Sequence, residues 1–355
     1  MIKYEFKKIL KNKFFIVFLM IFIAADMLLI YKNEYQRINE KRKENWKNEE
    51  EAYNHVKGIM TNEKFDYAKS LSPDEMIYGG SELYKDMVRA LNYKEEAQSI
   101  YSMAMENAEI YESIGKTNEA YKNKKIAEAF LGREINEYYR QEGVDNYLTY
   151  DYSTLMTIIM VLIAVVALFF TDNDTNMYRI VKTSKYGQRY VRLVRMMTVA
   201  VTGTVLMCFF RLIEYIEYYI IYEFDGLHMP VYSVYEYAQT FYSFSVGEAF
   251  VIDIGLKCIG IILFILIAIA LVNVIKVQNV ALCTFIMVYA GFVTVSIKSE
   301  KIYTPIRLFD GYSLIKSTEF ISIGRFNLTS MEYTIVITIM LIAAMLLLIM
   351  AKGKR

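Results

Sequence analysis

Histidine and cysteine are scarce in this chain, charge of one sign is not in excess, and each shortage closes off a class of chemistry. Only two histidines occur, His55 and His228, and neither stands at a metal-ligand spacing from Cys, Asp or Glu. A zinc site or a catalytic metal therefore has no support in the sequence. The three cysteines, Cys208, Cys258 and Cys283, all fall within apolar runs, where a thiol behaves as a small hydrophobe. No disulfide framework is implied, so a water-facing domain has to fold without covalent staples. No strand-turn-helix nucleophile motif is present. Gly115, Lys116 and Thr117 spell the end of a phosphate-binding loop, but Ile110 stands where that loop needs its earlier glycine, the residue that lets backbone N–H groups close on phosphate. With 40 Lys and Arg against 39 Asp and Glu, the formal charge is +1, which gives no basis for a nucleic-acid partner. The chain reads as non-enzymatic, with no catalytic residue, no metal and no cofactor.

Apolar residues, in contrast, are plentiful. The 355 residues are 55% hydrophobic and 15% aromatic, yet 22% charged, which calls for segregation of greasy and water-facing stretches. Runs approaching or exceeding about 18 apolar residues mark membrane helices. Six segments qualify: Phe14 to Tyr31, Ser153 to Phe170, Met196 to Tyr222, Ala249 to Val274, Val280 to Ile297 and Tyr333 to Met350. Lys3, Lys7, Lys8, Lys11 and Lys13 precede the first run, which stays bulky to its end with no small-residue cleavage site, so it is expected to be an uncleaved signal anchor.

Orientation follows from the loops richest in Lys and Arg, which stay in the cytoplasm. The N-terminal Lys cluster, the loop with Arg179, Lys182, Lys185, Arg189, Arg192 and Arg195, the turn with Lys276, and the tail Lys352, Lys354 and Arg355 all fall inside if both termini are cytoplasmic. The fold class expected is an all-α membrane protein with about six transmembrane helices and a helical extracellular domain between the first and second. Its parts are residues 1–31 (an amphipathic start and the first span), 32–152 (the extracellular domain) and 153–355 (five spans, with a cytoplasmic loop at 171–195).

Within the extracellular part, Asn33 to Glu51 carries no Gly or Pro and should prolong the first span as a helix bearing the single tryptophan, Trp46. Ser72, Pro73 and Glu75 form a helix-start signature. Leu83, Met87, Leu91, Ala97, Tyr101, Ala104 and Ala108 recur at helical spacing, as do Ala127, Phe130, Leu131, Ile135, Tyr138 and Tyr139, predicting two amphipathic helices. Such stripes usually form core, though a Met- and Tyr-lined face can also grasp an amphipathic peptide. The Tyr- and Phe-rich loop from Glu223 to Glu248 suits an interfacial aromatic belt. In the last outer loop, the semi-apolar stretch from Tyr312 to Ile323 suits a dip into the leaflet, which irregular backbone tolerates only under a cover of protein.

Ionisable residues within or beside spans are costly and usually face a partner or a wet cavity. Asp26, Arg211, Glu214, Glu217, Asp253 and Lys257 are therefore candidates for a substrate path. The bland alternative is pairing within one helix, Arg211 with Glu214 and Asp253 with Lys257. At the helical rise Arg211 lies about 22 Å from Met196, near the outer boundary of its span.

The opening MIKYEFKKILKNKFF, one span, a large exterior insertion, then five grouped spans with the basic segment MYRIVKTSKYGQRYVRLVR between the second and third, resembles the type-2 permease subunits of ATP-binding-cassette exporters, in the branch with a long insertion after the first span. The resemblance covers the layout of the whole chain. It implies a separate ATPase subunit as partner, touched by Glu5 in the opening helix and by Tyr178, Arg179, Lys182, Thr183, Ser184, Lys185, Tyr186, Gly187 and Arg189 in a cytoplasmic coupling loop. It also implies a homodimer or a sister permease, a bacterial plasma membrane with its lipids as surroundings, and an amphipathic peptide, bacteriocin-like molecule or drug as cargo. On the residues alone, the basic loop serves either to dock another protein or simply to enforce topology. Two further readings stand beside the exporter: a mechanotransmission-type ATP-driven membrane protein, which usually has four spans, and a non-transporting sensor with an extracellular ligand-binding domain.

Overall fold

The computed structural model describes residues 1–71, 82–170, 187–275, 277–298, 304–324 and 326–351, with backbone alone at 40–49, 82, 187–189, 297–298 and 351. Helix α1 (Ile2–Lys11) is amphipathic and buries Glu5 and Ile9. At Asn12 the backbone turns extended, and the Asn12 side-chain oxygen accepts the N–H groups of Phe14 and Phe15 at 2.9 and 3.4 Å, so one residue ends α1 and caps α2 (Lys13–Ile30). Helix α2 passes through a π-helical turn (Tyr31–Tyr35) straight into α3 (Gln36–Val56), the uninterrupted rod that the absence of Gly and Pro predicts.

The insert continues with β1 (Gly58–Ile59), α4 (Asn62–Ser70), α5 (Glu82–Ser113), α6 (Thr117–Phe130), β2 (Glu137–Tyr138) and α7 (Glu142–Thr149). Strands β1 and β2 pair antiparallel, Gly58 opposite Tyr138. Helices α5 and α6 fold back on each other, and the expected stripe on α5 supplies buried Met87, Ala97, Ala104 and Ala108. The second expected helix is corrected: it begins at Thr117 and stops at Phe130. Leu131 turns extended and Gly132 takes a φ of +68°, a conformation that lacks steric cost only for glycine, so Ile135 and Tyr138 are buried from extended backbone instead. The helix-start signature at Ser72, Pro73 and Glu75 lies outside the described residues.

Helices α8 (Tyr152–Phe169), α9 (Gly187–Tyr222), α10 (Val246–Val274), α11 (Gln278–Lys298) and α13 (Ser330–Ala351), with α2, are six helices long and apolar enough to cross a membrane. The chain is a multi-pass, all-α membrane protein. Helix α10 opens on a capping box in which the Ser245 hydroxyl accepts the Glu248 N–H at 3.2 Å and the Glu248 carboxylate accepts the Ser245 N–H at 2.7 Å. Thr329 and Glu332 make the same reciprocal pair at the head of α13, with bonds of 3.3 and 2.9 Å. Between the last two spans lie a 3-10 turn (Pro305–Phe309), a short helix α12 (Gly311–Lys316) and the hairpin β3 (Phe320–Ile323) and β4 (Phe326–Thr329).

The spans fall into two groups. In α8, α9 and α10 half or more of the apolar window is buried, against 17% in α2, 11% in α11 and 17% in α13. Three helices therefore form the centre of the bundle and three present most of their apolar surface outward. At the end opposite the insert, Ile9, Phe15, Leu168, Met196, Val199 and Ile349 belong to one apolar cluster.

Candidate functional site

The charged residues of the spans meet at the insert-side end of the central helices. Arg211 on α9 is fully buried and donates to Glu214 at 2.7 Å on its own helix and to Asp253 on α10 at 2.7 Å. The same two terminal nitrogens, Nη1 and Nη2, also reach the carbonyls of Tyr150 at 3.0 Å and Tyr147 at 3.4 Å, Nε has no hydrogen-bond partner, and the guanidinium lies 4.1 Å from the Tyr147 ring centre. Lys257, one turn beyond Asp253, pairs with it at 3.2 Å and with Asp151 at 3.3 Å. The two pairs expected within single helices do form, but Arg211 and Lys257 also tie α9 and α10 to each other and to the start of α8. Glu214 completes the tie by accepting the N–H of Ser153, in the first turn of α8, at 2.9 Å. A carboxylate is favoured there because the unpaired N–H groups of a helix start carry partial positive charge.

Asp26 on α2 is fully buried, and one of its oxygens accepts the Tyr150 hydroxyl at 2.8 Å. Its other oxygen, Oδ2, has no hydrogen-bond partner, and neither has Oε2 of Glu217 on α9. Asp253 has a tight neighbour: a Cβ placed on Gly311 would stand 2.4 Å from Asp253 Oδ1, so α12 comes this close to the lattice only because residue 311 is glycine.

Above the lattice, Tyr147 is ringed by Phe250, Phe224, Tyr218 and Tyr215 at centroid distances of 4.6, 5.9, 5.9 and 6.0 Å. The aromatic loop from Glu223 to Glu248, expected at a membrane interface, packs in part against the insert. Tyr237 is fully buried, and Tyr232 stacks on Tyr93 of α5 at 5.3 Å. Arg133, between α6 and β2, is held 4.6 Å from the Phe130 ring and 4.6 Å from the Tyr232 ring while donating to the carbonyls of Thr240 at 2.7 Å and Phe241 at 3.0 Å. Burial pushes the Tyr242 phenol up to about 12, and that hydroxyl donates to Thr329 at 3.0 Å. Leu314 and Ile315 of α12 are fully buried while Ile323 is 49% exposed, so protein covers only the first part of the semi-apolar stretch of the last loop. At its edge Lys316 binds Glu236 at 2.6 Å, which raises the Lys316 pKa, with Tyr312 adding to the effect.

At the opposite end Glu5 is turned inward, 2% exposed, with Arg195 of α9 at 3.6 Å and Lys8 at 3.5 Å. Tyr178, Arg179, Lys182, Thr183, Ser184, Lys185 and Tyr186 lie outside the described residues; Gly187 and Arg189 stand in the first turn of α9. The Cys208 and Cys258 thiols face each other across α9 and α10 with sulfurs 3.9 Å apart.

Asp151, Tyr147, Tyr150, Arg133 and Gly311 belong to this site without having been singled out in the sequence. Asp151 carried a signal, an acidic residue at the cap position of an apolar run; the others carried none, because their partners are loop carbonyls and side chains distant along the chain. No protein family, curated protein or solved structure matches the chain.

Proposed function

We propose that this chain is the membrane-spanning permease subunit of an ATP-binding-cassette exporter in a bacterial plasma membrane, with both termini cytoplasmic and residues 32–152 outside. A separate ATPase subunit supplies the energy, and the permease works as a homodimer or beside a sister permease. Its cargo is an amphipathic peptide, a bacteriocin-like molecule or a drug. The observation that carries the reading is the way the insert is built into the spans: Arg133 clamps it to the 223–245 loop, and Arg211 ties α9 to α10 and to the Tyr147 and Tyr150 carbonyls at the end of the insert. A displacement of α9 is passed to the exterior body through these contacts, as a machine driven from the cytoplasm requires. A ligand sensor needs neither six spans nor such a connection, and the mechanotransmission class usually has four spans. Helix α1 supports the same reading. Its Glu5 meets Arg195 two turns after α9 begins, next to the segment proposed to receive the ATPase.

Affinity purification of the tagged chain from its native membrane is expected to recover a nucleotide-binding subunit, and the double variant K185E/R189E to release it. A stable complex that lacks any such subunit overturns the reading. Labelling from outside intact cells is expected to reach Glu109→Cys and to miss Lys185→Cys; the reverse pattern overturns the topology.

A further inference from the structure

The lattice is unbalanced in charge. Arg211 and Lys257 are its two cations, and their ion pairs go to three carboxylates, those of Glu214, Asp253 and Asp151. Asp26 lies within electrostatic reach of Glu217 and also of Arg211, and Glu217 of Glu214, yet neither acid forms an ion pair among the described residues. Carboxylates removed from water are strongly unfavourable unless a cation or hydrogen-bond donors answer them.

Two further features separate this place from a mere group of acids. The Asp26 side chain is fully buried with Oδ2 unpartnered, and the Ser153 hydroxyl, fully buried beside the Ser153 N–H that binds Glu214, is unpartnered as well. The surroundings also suit an organic cation. Tyr150, whose hydroxyl binds Asp26, packs against Tyr152 at 5.2 Å and Tyr218 at 5.7 Å between ring centres, and such rings attract positive charge to their faces. On α9, Ile216 and Ile220 flank Glu217 along the helix and are exposed apolar side chains. Among the described residues no three His, Cys, Asp or Glu are grouped to hold a metal ion.

We propose that Asp26 and Glu217 form a recognition site for the positively charged group of an amphipathic cation, entered from the bilayer between α2 and α9 with the apolar part lying along Ile216 and Ile220 of α9. The inference rests on the permease reading only in calling that cation cargo. The probe is tetraphenylphosphonium, with tetraphenylborate as an anion of the same shape, and binding is measured by equilibrium dialysis on the purified full chain in lipid nanodiscs without any ATPase. The phosphonium is expected to bind saturably and the borate not; E217Q and D26N should each weaken the phosphonium at least tenfold, while E236Q, at the surface pair with Lys316, leaves it unchanged. Should D26N fail to fold, E217Q decides, since the Glu217 Oε2 atom it alters supports no hydrogen bond in the fold. Unchanged affinity in E217Q, saturable binding of the borate, or full displacement of the phosphonium by sodium ion each overturns the site. A negative outcome leaves the permease reading standing, and failure to recover an ATPase subunit leaves the binding result untouched.

Discussion

The two ends of the helix bundle are held together by different forces. At the insert side, buried ions, backbone carbonyls and interlocking tyrosines connect five or more segments through directed bonds. At the opposite end, among the described residues, the same helices are joined by Leu168, Met196, Val199 and their apolar neighbours, with the Glu5 and Arg195 contact as a polar exception. Directed bonds fix one arrangement and fail steeply when a member is lost; packed hydrocarbon inside a lipid solvent tolerates repacking because the surroundings are as apolar as the contact. The first kind of end suits a part that must move as a unit, the second a part that must slide.

The sharpest way to break this contrast is Arg211→Met. Losing the guanidinium leaves Glu214 and Asp253 buried without it, a cost of about 3–5 kcal/mol, and the yield of folded protein in mild detergent should collapse. Adding Glu214→Gln and Asp253→Asn to that variant should recover most of the yield; no recovery would mean the guanidinium matters for more than its charge. Next in size, Arg133→Met strips two charge-assisted bonds from loop carbonyls, about 2–3 kcal/mol, and limited proteolysis should then release the insert from the 223–245 loop before the spans unfold. Gly311→Ala drives a methyl group into Asp253 and should lower the thermal unfolding midpoint by an amount equivalent to about 1–3 kcal/mol. Leu168→Ala, at the hydrocarbon end, should cost only about 1–2 kcal/mol, because the cavity matters there while the transfer from water does not. The smallest effect belongs to Lys316→Ala: its pair with Glu236 is solvent-exposed, and denaturation should shift by about 0.5 kcal/mol or less. If Leu168→Ala proved as damaging as Arg211→Met, the contrast between the ends would fail.

The division between spans and insert was legible because runs of apolar residues have few alternatives in a chain of this length. The ion pairs within α9 and α10 were equally legible, since spacings of three and four residues place side chains on one helical face. The bond that matters most, Arg211 to Asp253, spans 42 residues, and nothing local distinguishes a lysine or arginine that answers its own helix from one that crosses to the next. The packing of the aromatic loop was illegible for a related reason: tyrosines at a membrane surface and tyrosines packed against a neighbouring domain have the same composition. At Ile135 and Tyr138 the spacing suited a helix, and the only local warning was Gly132. The site was thus half written in the sequence as a set of residues, and hardly at all as a set of contacts.

The helical run from Lys13 to Val56 is continuous through its π turn, which at the usual rise makes a shaft about 65 Å long. Such a shaft acts as a lever. About the contact of Asp26 with Tyr150, a tilt of a few degrees would swing the distal end of α3 by roughly 2–4 Å, less whatever the π turn at Tyr31–Tyr35 absorbs.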